Sequence, residues 1–293
     1  MSTPPIVDAH HHVWDLAVRD QDWITGEALA PLRRSFTAEE LETQAAGAGV
    51  TASVVVQTVT VPGETPELLA LAARSPLIAA VVGWTDLTHP GIADTLAALG
   101  ELPGGRTLAG IRHQVQSEPD PDWLLRPDVH RGLAAVEAAG LVYDLVIVPR
   151  QLPAATRAAA EHPGLTFVLD HLGKPPVTSG RVDTWAADVR ALAALPNTVC
   201  KLSGLVTEAD WHSWTVADLR PYGDTVVNAF GPDRLMFGSD WPVSTLAATY
   251  PQVLGTARAL TTALSPSEQR AVFSTTATRV YGLDATGTGV RSV

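Results

Sequence analysis

Ile6-Val7-Asp8-Ala9-His10-His11-His12-Val13-Trp14 begins as an apolar run and ends in three consecutive histidines. This stretch decides between two parallel-sheet architectures. An open sheet built for dinucleotides carries G-x-G-x-x-G after its first strand, where glycine lets the backbone approach a pyrophosphate. Here histidines occupy that place. Seven further apolar runs follow the first (6–10), at 52–57, 78–84, 108–113, 142–148, 166–169, 198–202 and 235–237. Most are nearly continuous in Val, Ile and Leu, as expected for parallel strands covered on both faces. Helical patterns separate them. Eight βα units predict an α/β fold, a single (β/α)8 TIM barrel over residues 1–283, with an open doubly wound sheet as the rival. The small, polar stretch 284–293 is expected to be a flexible C-terminal tail.

The helix signals agree with this order. Thr37 and Glu40 have the spacing of a capping box ahead of a helix running toward Ala48. Residues 128–139 put Val129, Leu133 and Val136 on one stripe. Ser265-Pro266-Ser267-Glu268 combines an N-cap, a proline in the first turn and a capping-box glutamate. That helix is expected to continue through Val272, Phe273 and Val280 to Gly282.

Composition narrows the function. The chain has 293 residues, 46% hydrophobic and 17% charged, with net charge −11 and no run of Lys or Arg. A nucleic-acid binder would need a basic surface to track phosphates. No apolar stretch reaches the roughly 18 residues of a membrane span. The N-terminus has no basic start followed by an apolar core, so no secretory signal is expected and the cytoplasm is the expected location. Cys200 is the only cysteine. Within an apolar strand it reads as a small buried hydrophobe rather than a nucleophile.

Barrel enzymes build their sites at the carboxyl ends of the strands. On the first strand, His10 and His12 are two apart and can share a face as a metal or catalytic pair, while His11 turns away. The sixth run ends in Asp170-His171-Leu172-Gly173-Lys174-Pro175, where His171 is either a site residue or a hydrogen-bonded structural histidine. The eighth ends in Gly238-Ser239-Asp240-Trp241-Pro242. Asp240 there either caps the next helix or, with Ser239 as the cap, is free for chemistry. Closing the barrel brings it beside His10 and His12. Arg112 and His113 end the fourth strand and, by alternation, point to different pockets; Lys201 stands on the seventh. Either cation can hold a carboxylate, polarise a carbonyl or make a rim salt bridge. Gln57 and Trp84 are further candidates for lining a substrate pocket. His89, His130, His162 and His212 fall in helices or loops and are expected to be solvated.

Together these three strand-end motifs resemble the amidohydrolase superfamily, and within it the amidohydrolase-related lactonase branch that includes sugar-lactone (fuconolactone, rhamnonolactone) and 2-pyrone-4,6-dicarboxylate lactonases. The resemblance runs from Ile6 to Gly282. It implies a hydrolase that opens the ring ester of a small lactone, a sugar-acid lactone first. His10, His12 and His171 would surround a reacting carbonyl or one divalent metal, zinc first. Asp240 would be the acid–base group and a metal ligand, with Arg112, His113 and Lys201 at substrate-binding positions. Two-metal relatives place a bridging Lys or Glu at the end of strand four and a ligand histidine on strand five. Arg112-His113-Gln114 and Tyr143-Asp144-Leu145 stand there instead, so the resemblance implies one metal or a metal-independent reaction. A metal-dependent non-oxidative decarboxylase and a non-catalytic ligand-binding barrel are the alternatives. The expected partner is a small-molecule lactone, with neither nucleic acid nor membrane, on a monomer or homodimer.

Overall fold

In the computed structural model, which describes residues 5–283, eight parallel strands follow one another in chain order. They are β1 (Ile6–His11), β2 (Val50–Val56), β3 (Ile78–Gly83), β4 (Leu108–His113), β5 (Val142–Leu145), β6 (Phe167–Leu169), β7 (Thr198–Leu202) and β8 (Leu235–Phe237). The expected tail, 284–293, lies outside the described residues. Each strand pairs in parallel with its successor, and helices follow the strands. The extension of β8 closes the ring: Asp240 N donates to His10 O at 2.8 Å, and His12 N donates to Trp241 O at 2.7 Å. Asp8 strengthens this seam. Its Oδ1 accepts from Ser239 N at 2.7 Å, and its Oδ2 accepts from the Tyr250 hydroxyl at 2.8 Å. The architecture is a (β/α)8 barrel.

Two apolar layers explain why the sequence closes this way. Val54, Val56, Ala80, Val82, Val142, Val168, Val199 and Met236 belong to a cluster inside the ring. Their sequence neighbours Val55, Val81, Tyr143, Phe167, Cys200 and Phe237 pack outward with the helices. The period of two therefore holds on strand after strand, even where both faces are apolar. Tyr281 and Leu283 belong to the inner cluster as well.

Continuing the inward face by two residues changes its chemistry. Val142 leads to Asp144, Val168 to Asp170, Val199 to Lys201 and Gly110 to Arg112, all buried. Gly238 follows Met236, and a Cβ there would lie 2.7 Å from His10 Cβ. The glycine makes room for the first histidine.

Three expectations need adjustment. The runs 52–57, 78–84 and 142–148 overshoot β2, β3 and β5, because apolarity tracks burial and Val146 and Ile147 stay buried after the ladder ends. Thr37 Oγ1 caps Glu40 N at 3.3 Å, but the Glu40 carboxylate pairs with Arg34 at 2.9 Å, so only half the capping box forms. The last helix is interrupted by a π turn, Ala271–Thr275, that buries the four consecutive residues Ala271 to Ser274. Among the described residues, no helix is long and apolar enough to cross a membrane.

Candidate active site

The three histidines at the end of β1 divide as expected, through a local irregularity. The β1–β2 register passes from Asp8↔Ser53 to His11↔Val55, three steps against two. His11 turns away to Ser53 Oγ at 3.0 Å, whereas His10 Nε2 and His12 Nε2 face each other at 3.1 Å. His12 Nδ1 lies 2.8 Å from Val56 O, which accepts its proton and leaves Nε2 as a lone pair. His171 Nδ1 is likewise engaged, with Ser203 Oγ at 2.9 Å.

His171 and Asp240 arrive on left-handed backbone, at φ of 52° and 55°. Non-glycine residues adopt this region only when the surroundings hold them there, and such residues concentrate at functional sites. The turn that follows, Val243–Leu246, starts from Pro242 with no side-chain cap. Neither Ser239, whose Oγ accepts from Trp241 N at 3.1 Å, nor Asp240 therefore caps a helix, and the aspartate side chain is free. Asp240 Oδ1 lies 3.8 Å from His10 Nε2, 3.6 Å from His12 Nε2 and 3.8 Å from His171 Nε2. Three imidazoles from two strands thus converge on one carboxylate oxygen.

Burial pulls the His10 imidazole well below its usual range and lowers His171 to about 4, so both are neutral near pH 7. Burial alone would raise the Asp240 carboxyl, but His171 and His12 outweigh it and hold the group below the ordinary value. These are the protonation states that metal ligation and general-base chemistry require. The donor set also fits one zinc ion. His10, His12 and Asp240 each place one ligand atom within 4.8 Å of the others, and their separations of 3.1, 3.6 and 3.8 Å lie near the roughly 3.3 Å edge of a tetrahedron with about 2.0 Å bonds. His171 Nε2 joins them through Asp240 Oδ1 at 3.8 Å.

Beneath this cluster lies the ionic layer. Lys201 Nζ is 2.5 Å from Asp144 Oδ2, 3.0 Å from Asp170 Oδ1 and 3.1 Å from His10 Nδ1. Burial raises Asp144, whereas Lys201 and His10 overcome burial to hold Asp170 well below the carboxylate range. Arg112 donates to Asp170 Oδ2 at 2.9 Å and to Gln57 Oε1 at 2.7 and 2.9 Å. Its Nη1 also stands 3.3 Å from His10 Nε2.

A cavity of about 170 Å³ opens above, with His12, His171, Asp240 and Arg112 in its wall. Pockets for drug-sized ligands span about 300–1,000 Å³, so this one suits a single small ring. Hollows of about 420 and 720 Å³ elsewhere contain neither His10, His12, His171 nor Asp240. Gln57, Trp84, His113 and Lys201, expected at the substrate, do not line the cavity. Gln57 and Lys201 are fully buried and hold Arg112 and His10 from below. Trp84 Nε1 donates to His113 Nδ1 at 3.0 Å, and His113 stacks on Trp123 beside a neighbouring recess. His130 and His162, expected in solvent, are half-buried and pair at 2.7 Å. Sequence reasoning passed over Lys174 and Glu208, which do line the cavity. Lys174 stood in a quoted motif, three residues after His171.

The chain has relatives among known proteins. The amidohydrolase family Amidohydro_2 matches residues 7–283. An L-fucono-1,5-lactonase from Burkholderia multivorans is 42% identical over 288 residues, spanning 94% of this chain and 96% of the lactonase. The crystal structure of an amidohydrolase from the same organism with bound zinc superposes with a TM-score of 0.89 at 41% identity, covering 95% of this chain and 99% of that one. A 5-carboxyvanillate decarboxylase from Sphingomonas paucimobilis, 16% identical with a TM-score of 0.63 over 96% of this chain and 100% of its own, shares the fold alone.

Proposed function

The chain belongs to the amidohydrolase family, and on that premise we propose that it is a lactonase opening the ring ester of a small sugar-acid lactone at a one-zinc site. The observation that carries this reading is the convergence of His10, His12 and His171 on Asp240 Oδ1 in the wall of a ring-sized cavity. The three imidazoles and Asp240 Oδ1 would hold the ion, which supplies Lewis-acid polarisation of the carbonyl when bound.

The chain's own residues carry the proton and the charge. Asp240 takes a proton from the water that attacks the lactone carbonyl. Arg112, held by Asp170 and Gln57, offsets the negative charge that develops on the carbonyl oxygen. As the carbon–oxygen ring bond breaks, Asp240 returns the proton to the departing ring oxygen. The product is a hydroxy acid, which ionises and acidifies the medium. An alkoxide is a far better leaving group than an amide nitrogen, which suits a site with one metal rather than two. Decarboxylation has only fold-level likeness in its favour.

A pH-indicator screen of aldonolactones and pyrone lactones, with and without chelator, tests the reading. Opening of an aldonolactone that chelator suppresses and added Zn²⁺ restores is the expected outcome. If no lactone of either type acidifies the medium, the proposal fails.

The support of His171 gives a further expectation. Gly204 has φ +62°, and a Cβ there would lie 2.4 Å from His171 Nδ1. Gly204→Ala should displace the imidazole by a fraction of an ångström or more and lower kcat/KM roughly a hundredfold. Steady-state kinetics alongside a thermal melt would separate that loss from unfolding. Unchanged kcat/KM would show that the position of His171 is not critical.

A further inference from the structure

Lys174 and Glu208 face one another at the wall of the same cavity, with Nζ and Oε1 3.9 Å apart. Each lies on a turn entered through a left-handed glycine, Gly173 or Gly204. Lys174 has φ +52° directly after Gly173 at φ +70°. Glu208 ends the turn Leu205–Glu208, which Gly204 initiates from φ +62°. Each side chain is about one-quarter exposed, so neither is simply a solvated surface charge.

The charge balance of the cavity gives this pair its meaning. Arg112 is already committed to Asp170 and Gln57. Lys174 is matched by Glu208. Among the described lining residues, therefore, neither the guanidinium nor the ammonium lacks a carboxylate partner. The remaining wall sets the neutral polar side chains Gln114, Gln116, Ser117 and Thr207 among the apolar Trp23, Val146 and Val243. Amides and hydroxyls of this kind bind hydroxyl groups and offer no counter-charge to an anion.

We propose that Glu208 determines specificity, accepting a hydroxyl of a neutral polyhydroxy lactone and cancelling Lys174 so that a ring bearing its own carboxylate is refused. The inference rests on the lactonase reading and deepens it. A fixed carboxylate against an anionic ligand is a repulsive element, and refusal by repulsion discriminates as effectively as added attraction. With Glu208 neutralised, Lys174 becomes an unmatched ammonium in a partly desolvated wall, ready to bind the carboxylate that Glu208 refused.

The test compares wild type, Glu208→Gln, Glu208→Asp and the double variant Lys174→Met/Glu208→Gln. An aldono-1,5-lactone serves as substrate and 2-pyrone-4,6-dicarboxylate as competing anion. Glu208→Gln should raise KM for the aldonolactone at least tenfold while kcat changes less than threefold. The same variant should bind the dicarboxylate at least tenfold more tightly, and the double variant should lose that gain. Glu208→Asp should restore most of the KM, which a misfolded loop would not do. Calorimetric titration with the corresponding aldonolactam reads binding without turnover. If wild type opens no lactone, the lactonase reading falls, yet reversed preference between lactam and dicarboxylate still reports on Glu208. Unchanged aldonolactone KM in Glu208→Gln, or unchanged dicarboxylate affinity, overturns the proposal.

Discussion

Asp240→Asn is expected to lower kcat by about a hundredfold to ten-thousandfold, the usual cost of losing a positioned general base, while the fold and KM change little. The substitution isolates chemistry from architecture for a local reason. Position 240 has φ 55°, and asparagine is among the few residues that occupy this region readily. The backbone ties made there, Asp240 N to His10 O and Ser244 N to Asp240 O, both at 2.8 Å, do not involve the side chain. The neighbouring side-chain bond to the backbone, Trp241 N to Ser239 Oγ, also leaves Asp240 uninvolved. An amide of the same shape therefore fits, but it cannot take a proton from water at neutral pH. Single-turnover and steady-state rates with an aldonolactone, together with circular dichroism, measure the effect. Turnover within tenfold of wild type by a folded variant would remove Asp240 from the proton transfer.

Much of this site was legible in the sequence because its residues follow the apolar strands directly. His10 ends the first apolar run, and His12, His171 and Asp240 stand just beyond runs whose composition marks them as strands, while period-two alternation separates His11 from its neighbours. Alternation also assigns Arg112 and His113 to different pockets, as found. The ionic layer beneath was harder to see. Asp144 and Lys201 lie inside apolar strands, where a charge looks like an interruption. Its signal was present all the same, since each lies two residues beyond an inward-facing valine, Val142 or Val199. What the sequence could not supply was the pairing. Whether Lys201 reaches a substrate or buried carboxylates depends on strand register and on how deep a long side chain sits. The π turn at Ala271–Thr275 and the shift within β1 were invisible for a related reason. Both insert a residue into a regular pattern with no Gly or Pro to mark the place. Lys174 and Glu208 sit on loops after β6 and β7, where no periodicity reveals which side chains face the cavity.

The ionic layer itself leads to a large stability effect. Lys201→Met places a side chain of similar length where the ammonium was, so packing is largely kept. Asp144 and Asp170 then lose the charge 2.5 and 3.0 Å away, in a fully buried setting. Removing one partner of a buried ion pair costs about 3–5 kcal/mol. At about 2–4 °C per kcal/mol for a chain of this order of size, the melting temperature should fall by roughly 10 °C. Arg112 still faces Asp170, so Asp144 bears most of the loss. Burial already lifts that carboxyl from the ordinary 3.8 to about 6 against the lowering influence of Lys201. Removing the lysine lifts it further. A carboxyl that binds its proton more tightly in the folded state than in the unfolded one weakens the fold where it must ionise, and the cost fades as pH falls through its folded value. The deficit of Lys201→Met relative to wild type should accordingly be largest at pH 8 and shrink toward pH 5. Adding Asp144→Asn should recover part of the loss at pH 8, because the neutral amide retains an acceptor for the Tyr281 hydroxyl, which lies 2.9 Å from Asp144 Oδ2. Thermal melts of the three proteins across that range are decisive. A deficit under about 1 kcal/mol, the scale of an exposed ion pair, or one that grows as pH falls, would mean that Lys201 does not neutralise this layer.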